Sequence, residues 1–203
     1  MNKLDDKTIE KAAYILKNGG IVAVPTETVY GLAADASNPK ALKKLYKLKE
    51  RPETQAFSLL IHSKEDIKRW AKDIPESAHK LSEAFWPGPL TMILKKADAV
   101  ETMATGGKAT IGLRVPDHAL TQSLLQAFGS GLAVASANPR GKTPAKSTEE
   151  INAYFADSID LILANDSQSS NAASTIVDLT LPESIKILRE GDISFDTIKK
   201  TLS

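Results

Sequence analysis

The chain has 203 residues, of which 42% are hydrophobic, and it carries a formal net charge of +1 and no cysteine. This length is enough for one domain with a substantial core, and we expect a single domain over residues 1–203. The absence of cysteine excludes disulfides, thiolate metal sites and a cysteine nucleophile. No long apolar run or signal-peptide pattern is present, which predicts a cytoplasmic protein without a membrane span.

The first elements are marked by apolar spacing and by glycine and proline. Apolar residues at helical spacing predict a helix that Asp5 or Asp6 caps and that Gly19 helps to end. The run Ile21–Val24 predicts a buried strand. Pro25 has no backbone donor and ends simple ladder pairing of that strand.

Further helices are predicted from Asn38-Pro39 to the residues before Pro52, over Glu76–Phe85 and over His118–Phe128. The remaining predicted strands are Phe57–Ile61, Leu90–Leu94, Thr110–Val115, Leu132–Ala135, Leu161–Leu163, Thr175–Leu179 and Ile185–Leu188. Several of these strands are apolar throughout, as in sheets that are covered on both faces. The pattern predicts an α/β domain in which helices flank a twisted mixed sheet with a concave basic cavity.

Polar side chains cluster directly after the first strand. Thr26, Glu27, Thr28 and Tyr30 stand within five residues, which is more than a core requires. Ligands of open α/β sheets bind outside the carboxyl ends of strands, so we expect a substrate site here. Other strand ends carry similar groups, and we expect them to meet at the same edge of the sheet. These groups are Arg114, Ser136, Asn138, Arg189 and Ser174, the last of which precedes a strand.

The cations in this set suit a polyanionic substrate. Lys49 and Arg51 follow a predicted helix, and Arg114 and Arg189 end strands, where arginine offers bidentate geometry to carboxylate or phosphate. The sequence has no Walker A motif, no GxGxxG after a strand, no HExxH and no nucleophile elbow, and its three histidines are scattered. A cationic site without a nucleophile favours phosphoryl or nucleotidyl transfer by positioning and charge neutralisation.

Six segments in order, PTETVYGL, KERP, GLRVPDH, SANPRG, STIVDL and ILREG, resemble the YrdC/TsaC family of threonylcarbamoyl-AMP synthases. The resemblance covers nearly the whole chain. It implies a YrdC-like fold and synthesis of threonylcarbamoyl-adenylate from L-threonine, bicarbonate and ATP, with release of diphosphate. It also implies that a partner complex passes the threonylcarbamoyl group to the adenosine beside the anticodon of certain tRNAs.

The same resemblance implies roles for individual residues. By resemblance, Lys49 and Arg51 are expected to be catalytic and also to bind ATP. Mg²⁺ is expected to accompany the nucleotide, without a dedicated protein ligand. The further ATP-binding residues that it implies are Thr110, Ser136, Asn138 and Arg189. The residues that it implies for L-threonine are Thr28, Arg114 and Ser174.

Two departures and two alternatives accompany the resemblance. The family often has Ser-Gly after the S-A-N-x run, whereas here Arg140-Gly141 follows Pro139. Many relatives also have a histidine where a gap-free alignment places Leu60, with His62 two residues later. The chain ends at Ser203, and we expect the short, single-domain form of the family. One alternative is a YrdC-like module that binds double-stranded RNA or tRNA directly, for which the lysines of residues 40–47 are a candidate contact. The other is a YciO-type paralogue with different chemistry.

Overall fold

The computed structural model describes residues 3–164, 173–181 and 185–203. Its α-helices within these ranges are α1 (Lys3–Lys17), α2 (Pro39–Leu48), α3 (Ile67–Trp70), α4 (Glu76–Phe85), α5 (Ala119–Phe128), α6 (Thr148–Phe155) and α7 (Phe195–Leu202). Its strands there are β1 (Val22–Val24), β2 (Gly31–Asp35), β3 (Ser58–Leu60), β4 (Ala71–Lys72), β5 (Leu90–Lys96), β6 (Thr110–Arg114), β7 (Leu132–Ser136), β8 (Leu161–Ile162), β9 (Thr175–Asp178) and β10 (Lys186–Arg189). Among the described helices, none has the length and apolar character needed to cross a membrane.

All of these strands belong to one mixed sheet, which confirms the predicted α/β class with helices around a mixed sheet. The strand order is β10-β9-β5-β6-β3-β7-β2-β1-β8, and β4 pairs with the outer part of β5. β3 runs parallel to β6, β5 to β9 and β1 to β8, whereas the other neighbours are antiparallel. The chain therefore combines hairpin-like connections with longer crossovers.

The sheet directions correct one expectation about the site. β6 and β7 both neighbour β3, but β6 is parallel to it and β7 antiparallel. The carboxyl ends of β6 and β7, at Arg114 and Ser136, consequently lie at opposite edges of the sheet. The prediction that the strand ends share one edge was wrong, because it assumed a parallel sheet.

β2 is a strand that the sequence did not predict. Its residues GLAAD are small and end in an aspartate, so they show neither alternation nor a bulky apolar run. In the fold β2 pairs with β1 on one side and with β7 on the other, which makes the segment 25–30 the connection between antiparallel neighbours. A side chain at Gly31 would collide with Val134 Cγ1, so the small residue permits close pairing here.

The helices agree well with the sequence. In α1 the predicted apolar residues Ile9, Ala12, Ala13 and Leu16 are buried. The helix begins at Lys3, so Asp6 lies inside its first turns and does not cap it. Asn38 caps α2 as predicted, because its side chain accepts from the backbone N–H groups of Lys40 and Ala41.

The two faces of the sheet differ in how they are covered. One face packs entirely into the larger core with α2, α4, α6 and α7, through residues such as Leu59, Met92 and Leu113. The opposite face is covered by α1 and α5 only over β1, β2 and the nearer ends of β3 and β7, where Val22, Val24, Ala33, Leu60 and Leu132 are buried. We call this part the covered half.

The rest of that second face carries polar or small residues and is only partly buried. By strand register, Ser58, Ile93, Thr110, Gly112, Val134, Ser136 and Ile176 share it. Except for the buried Gly112, each of them is half-buried. We call this part the open half, and the candidate site described next lies on it.

Candidate functional site

The segment 25–30 between β1 and β2 is held in a compact turn. The Thr26 hydroxyl donates to the Val29 carbonyl at 2.7 Å and accepts from the backbone N–H groups of Thr28 and Val29. Thr26 Oγ1 also lies 2.9 Å from Thr28 Oγ1. Both threonines are buried, and Pro25 contributes its carbonyl to a hydrogen bond from the Thr121 hydroxyl of α5. The turn therefore fixes Thr28 in one position.

Arg114 reaches this turn from the end of β6. Its Nη2 donates to Thr28 Oγ1 at 3.1 Å, and its Nε donates to the Gly88 carbonyl at 3.2 Å. Nη2 also lies 2.7 Å from Glu27 Oε1. The guanidinium is buried, and the carboxylate of Glu27 beside it partly offsets its charge. Two of the three residues predicted for L-threonine, Thr28 and Arg114, are thus in direct contact.

Ser174, the third predicted threonine contact, is held by Arg189. Arg189 donates from Nη2 and Nε to the Ser174 carbonyl, at 2.8 and 3.0 Å, and from Nη2 to Ser174 Oγ at 3.1 Å. Ser174 Oγ also lies 3.0 Å from Thr91 Oγ1 of β5. Burial lowers the pKa of Arg189, and the nearby positive charge of Arg114 lowers it further. Two guanidinium groups therefore share this part of the open half, which we call the arginine end.

Lys49 organises a second group of residues at the end of β7. Its ammonium donates to the Ser136 carbonyl at 2.5 Å, to the Asn138 carbonyl and to Asn138 Oδ1 at 2.9 Å. The Ser136 hydroxyl donates to Asn138 Oδ1 at 2.6 Å. We call Lys49, Ser136 and Asn138 the lysine end. All three N–H donors of the ammonium are used, so a phosphate that binds Lys49 must replace one of these oxygens.

The environment of Lys49 disfavours its charge. Burial lowers the pKa of Lys49 to about 8, and the charge of Arg51 adds to this effect. In the described part of the chain, no carboxylate forms an ion pair with Lys49, Arg51 or Arg189. These cations are therefore held by carbonyl oxygens and lack a neutralising acid, which favours a bound polyanion.

Arg51 faces a different hollow. It donates from Nη2 to the Ala56 carbonyl at 2.7 Å and stacks over the Phe57 ring, with its Cζ 5.1 Å from the centroid. It also lines a cavity of about 350 Å³ at the C-terminal end of α2. The residues that line this cavity are Lys43, Tyr46, Lys47, Glu50, Arg51, Pro52, Glu53 and Arg140. Arg51 is close enough to Lys49 to influence its pKa, yet it belongs equally to this outer cavity.

Thr110 lies at the start of β6 on the open half, and its register partner on β5 is Lys95. It shares that sheet face with Arg114 and Ser136 but makes no side-chain hydrogen bond to another predicted site residue within the described ranges. By register across β3, Thr110 lies level with Ser136, at the opposite end of β6 from Arg114.

The arginine and lysine ends adjoin through the main chain. The N–H of Ala137 donates to the Tyr30 carbonyl at 2.8 Å, which connects the segment 136–138 to the turn that contains Thr28. This bond continues the pairing of β2 with β7, which brings Thr28 close to Ser136 and Asn138 although about a hundred positions separate them. Sequence reasoning missed Thr91, a lone hydroxyl inside an apolar strand, and assigned no role to Glu27.

The donors at the site suit phosphate and carboxylate better than a metal ion. They are ammonium, guanidinium, hydroxyl and amide groups, whereas Mg²⁺ prefers several oxygen ligands of carboxylate or carbonyl type. Within residues 3–164, 173–181 and 185–203, no group of three or more His, Asp or Glu residues is arranged to hold a metal ion.

Comparison with known proteins finds a family that covers most of the chain. The Sua5_yciO_yrdC family model, described as "Telomere recombination", matches residues 14–191. The threonylcarbamoyl-AMP synthase of Pyrococcus abyssi is 34% identical over 200 residues, which are 98% of this chain but 58% of the relative. That of Vibrio campbellii is 34% identical over 187 residues, which are 91% of this chain and 100% of the relative.

Solved structures give the same picture. The crystal structure of P. abyssi Sua5 complexed with L-threonine is 35% identical and superposes with a TM-score of 0.93, over 97% of this chain and 58% of that one. Escherichia coli YciO is 25% identical with a TM-score of 0.86, over 95% of this chain and 93% of that one. The chain thus spans little more than half of the P. abyssi relative and nearly all of the V. campbellii and E. coli proteins.

Proposed function

The chain belongs to the Sua5/YciO/YrdC family, and on that premise we propose that it synthesises L-threonylcarbamoyl-adenylate from L-threonine, bicarbonate and ATP. The observation that carries the proposal is the juxtaposition of the two ends. The arginine end offers guanidinium and hydroxyl groups that can bind the carboxylate and hydroxyl of an amino acid. The lysine end offers positive charge without a neutralising acid, which suits phosphates. The relative from V. campbellii, which this chain spans in full, bears the synthase name.

In the proposed reaction, bicarbonate takes up a proton and loses water to give CO₂. The ammonium group of threonine gives up a proton, and the resulting amine adds CO₂ and releases a second proton to form a carbamate. A carbamate oxygen then bonds to the α-phosphorus of ATP, and the bond from that phosphorus to the diphosphate oxygen breaks. Arg114 and Thr28 bind the amino acid, and Ser174 is held in place for the same substrate by Arg189. No step requires a protein nucleophile, in agreement with the side chains at the site.

The lysine end has two tasks in this proposal. Lys49 holds Ser136 and Asn138 in position, and its charge with that of Arg51 offsets the charge that develops on the phosphates. Thr110 and Arg189 are proposed to complete the nucleotide contacts. Mg²⁺ is proposed to arrive with ATP, bound through phosphate oxygens, and to neutralise part of their charge.

The proposal is tested by mass spectrometry of a mixture of protein, ATP, L-threonine and bicarbonate. We expect threonylcarbamoyl-adenylate together with diphosphate, and neither without threonine. Equal diphosphate release in the absence of threonine would contradict the proposal. Such an outcome would favour the YciO-type alternative, in which the same fold carries another chemistry.

The adenylate product is a reactive mixed anhydride, so we propose that it is consumed by a separate transferase complex. That complex would pass the threonylcarbamoyl group to the adenosine beside the anticodon of tRNA. We propose the cytoplasm as the compartment, because ATP, threonine and tRNA are all present in it.

Direct RNA binding is a second candidate function, favoured by the outer cavity at the end of α2. Lys43, Lys47, Arg51 and Arg140 line it, although Glu50 and Glu53 reduce its net charge. RNA bound there would show a steep loss of affinity with salt, because phosphate contacts release counterions. A gel shift weakened by Lys43→Ala with Lys47→Ala, but unaffected by ATP, would support this role.

A further inference from the structure

Glu27 is an acid in the middle of the arginine end. It lies in the turn between β1 and β2, next to Thr28, and its Oε1 is 2.7 Å from Arg114 Nη2. Its charge also reaches His118, the residue before α5: burial lowers the pKa of His118, while Glu27 and Asp117 raise it. Glu27 therefore stands at the point where the predicted amino-acid pocket meets the start of α5.

The carboxylate of Glu27 lacks hydrogen-bond donors. Its side chain is 20% exposed, yet both oxygens are shielded from solvent and neither accepts a hydrogen bond from the described residues. The short distance to Arg114 does not change this, because the guanidinium N–H is not directed at Oε1 and the contact is an ion pair only. A shielded carboxylate normally accepts several hydrogen bonds, so this arrangement is costly unless a ligand supplies them.

Arg114 has the complementary deficit. Its Nε and Nη2 are used by Gly88 and Thr28, whereas Nη1 makes no hydrogen bond within the described ranges. The arginine end therefore combines a guanidinium nitrogen that lacks an acceptor with a carboxylate that lacks donors, both counted over the described residues. An α-amino acid has the matching pair of groups on one carbon, a carboxylate and an ammonium, and the ammonium brings three N–H donors.

We propose that Glu27 binds the α-ammonium group of the amino-acid substrate while Arg114 binds its carboxylate, so that the pair selects a zwitterion. The inference rests on the proposed function and adds a specificity-determining residue to it. It explains why an acid is placed where it partly neutralises a substrate-binding arginine. For a substrate with a carboxylate alone, Glu27 would only weaken binding.

A purely structural role makes a different prediction. If Glu27 only orients Arg114, its removal weakens every carboxylate ligand to the same extent. If Glu27 binds the ammonium group, its removal weakens only ligands that contain an amine. The ratio of two dissociation constants therefore separates the two roles.

The experiment measures binding of L-threonine and (R)-3-hydroxybutyrate by calorimetric titration. The second compound keeps the carboxylate and hydroxyl of threonine but has no amine. We expect the wild-type protein to prefer threonine by about tenfold or more, as for hydrogen bonds between charged groups. In Glu27→Gln this preference should fall to within about threefold of unity, chiefly because threonine binding is lost.

Asp117→Asn is the matched control, since Asp117 is an exposed acid that acts on the same His118 and should leave the preference unchanged. A Glu27→Gln variant that weakens both ligands equally, or that keeps the full preference, overturns the inference. Glu27→Asp provides a second measurement if Glu27→Gln does not fold: it should weaken threonine more than hydroxybutyrate, and equal weakening again overturns the inference. If wild-type protein still forms the adenylate in these cases, the proposed function stands and only the role of Glu27 fails.

Discussion

The covered and open halves of one sheet face differ in what lies above them, and strand β7 passes through both. On this face Leu132 is fully buried under α1 and α5, Val134 is half-buried, and Ser136 belongs to the lysine end. The change from apolar to polar occurs within five residues, at the point where helical cover stops. The site is therefore the part of this sheet face that α1 and α5 leave uncovered.

The largest functional effect is expected from Arg114→Ala, which removes the guanidinium proposed to bind the carboxylate of threonine and leaves Glu27 without its ion pair. Truncation of one partner of a buried charge pair costs roughly 2–5 kcal/mol. We therefore expect kcat/KM for threonine to fall roughly 30-fold to several thousand-fold, whereas ATP affinity changes little. Steady-state kinetics and calorimetric titration with ATP provide the measurements.

Arg114→Lys is the control for charge. It should give an intermediate loss, because lysine keeps the charge but lacks the planar fork of donors. If Arg114→Ala lowers the affinity for ATP as much as it lowers kcat/KM for threonine, the arginine and lysine ends do not act separately. That result would contradict the assignment of threonine to one end and ATP to the other.

In the covered half, substitutions should lower stability and leave substrate binding unchanged. Leu132→Ala removes a fully buried side chain and is expected to lower the free energy of unfolding by about 2–5 kcal/mol, with KM values of the folded fraction unchanged. Val134→Ala, two residues along the same face, should cost about 1 kcal/mol. Denaturant titration of the two variants beside the wild type tests this. A larger stability loss for Val134→Ala would show that the boundary between the halves is misplaced.

The lowered pKa of Lys49 predicts a pH effect at the lysine end. Lys49 is charged below pH 8 and neutral above it, so ATP affinity should be highest below pH 8 and decline by at most about tenfold per pH unit above it. ATP binding near pH 8 should be accompanied by proton uptake, which calorimetry in buffers of different ionisation enthalpy detects. Lys49→Arg should abolish the uptake, and uptake that persists in this variant would assign it to another group.

The smallest effect is expected from Ser136→Ala. The hydroxyl donates to Asn138 Oδ1, and its loss should cost about 1 kcal/mol in ATP binding, or roughly fivefold in KM. The free energy of unfolding should change by less than about 0.5 kcal/mol, because the residue is half-buried. Ser130→Ala, at another half-buried serine away from the site, provides a baseline for serine removal. A stability loss comparable to that of Leu132→Ala would place Ser136 in the covered half.

Much of the fold was predictable from local pattern. The spacing of Ile9, Ala12, Ala13 and Leu16 identified the buried side of α1, and Asn38-Pro39 identified the start of α2. β2 was missed because its small residues carry no periodic signal. The relative directions of β6 and β7 were also beyond local reasoning, since pairing through β3 depends on residues far apart in the chain.

For the site, the sequence identified which residues take part but not which residues they contact. Motif resemblance identified Thr28, Arg114, Lys49 and Asn138, which the structure places at two adjoining ends, while their roles in binding stay predictions. The contacts themselves, such as Arg114 with Thr28 or Lys49 with Asn138, join residues 86 and 89 positions apart and had no local signal. For the same reason, the missing hydrogen bonds of Glu27 became visible only once its neighbours were known.

The bond between Ala137 N–H and the Tyr30 carbonyl has a consequence for how such a protein changes under mutation. Both of its atoms belong to the peptide backbone, so the bond does not depend on a side chain, although Ala137 is fully buried and its replacement must be small and not proline. Side chains at the arginine and lysine ends can therefore change during evolution and bind other substrates, while this backbone bond keeps the two ends next to each other.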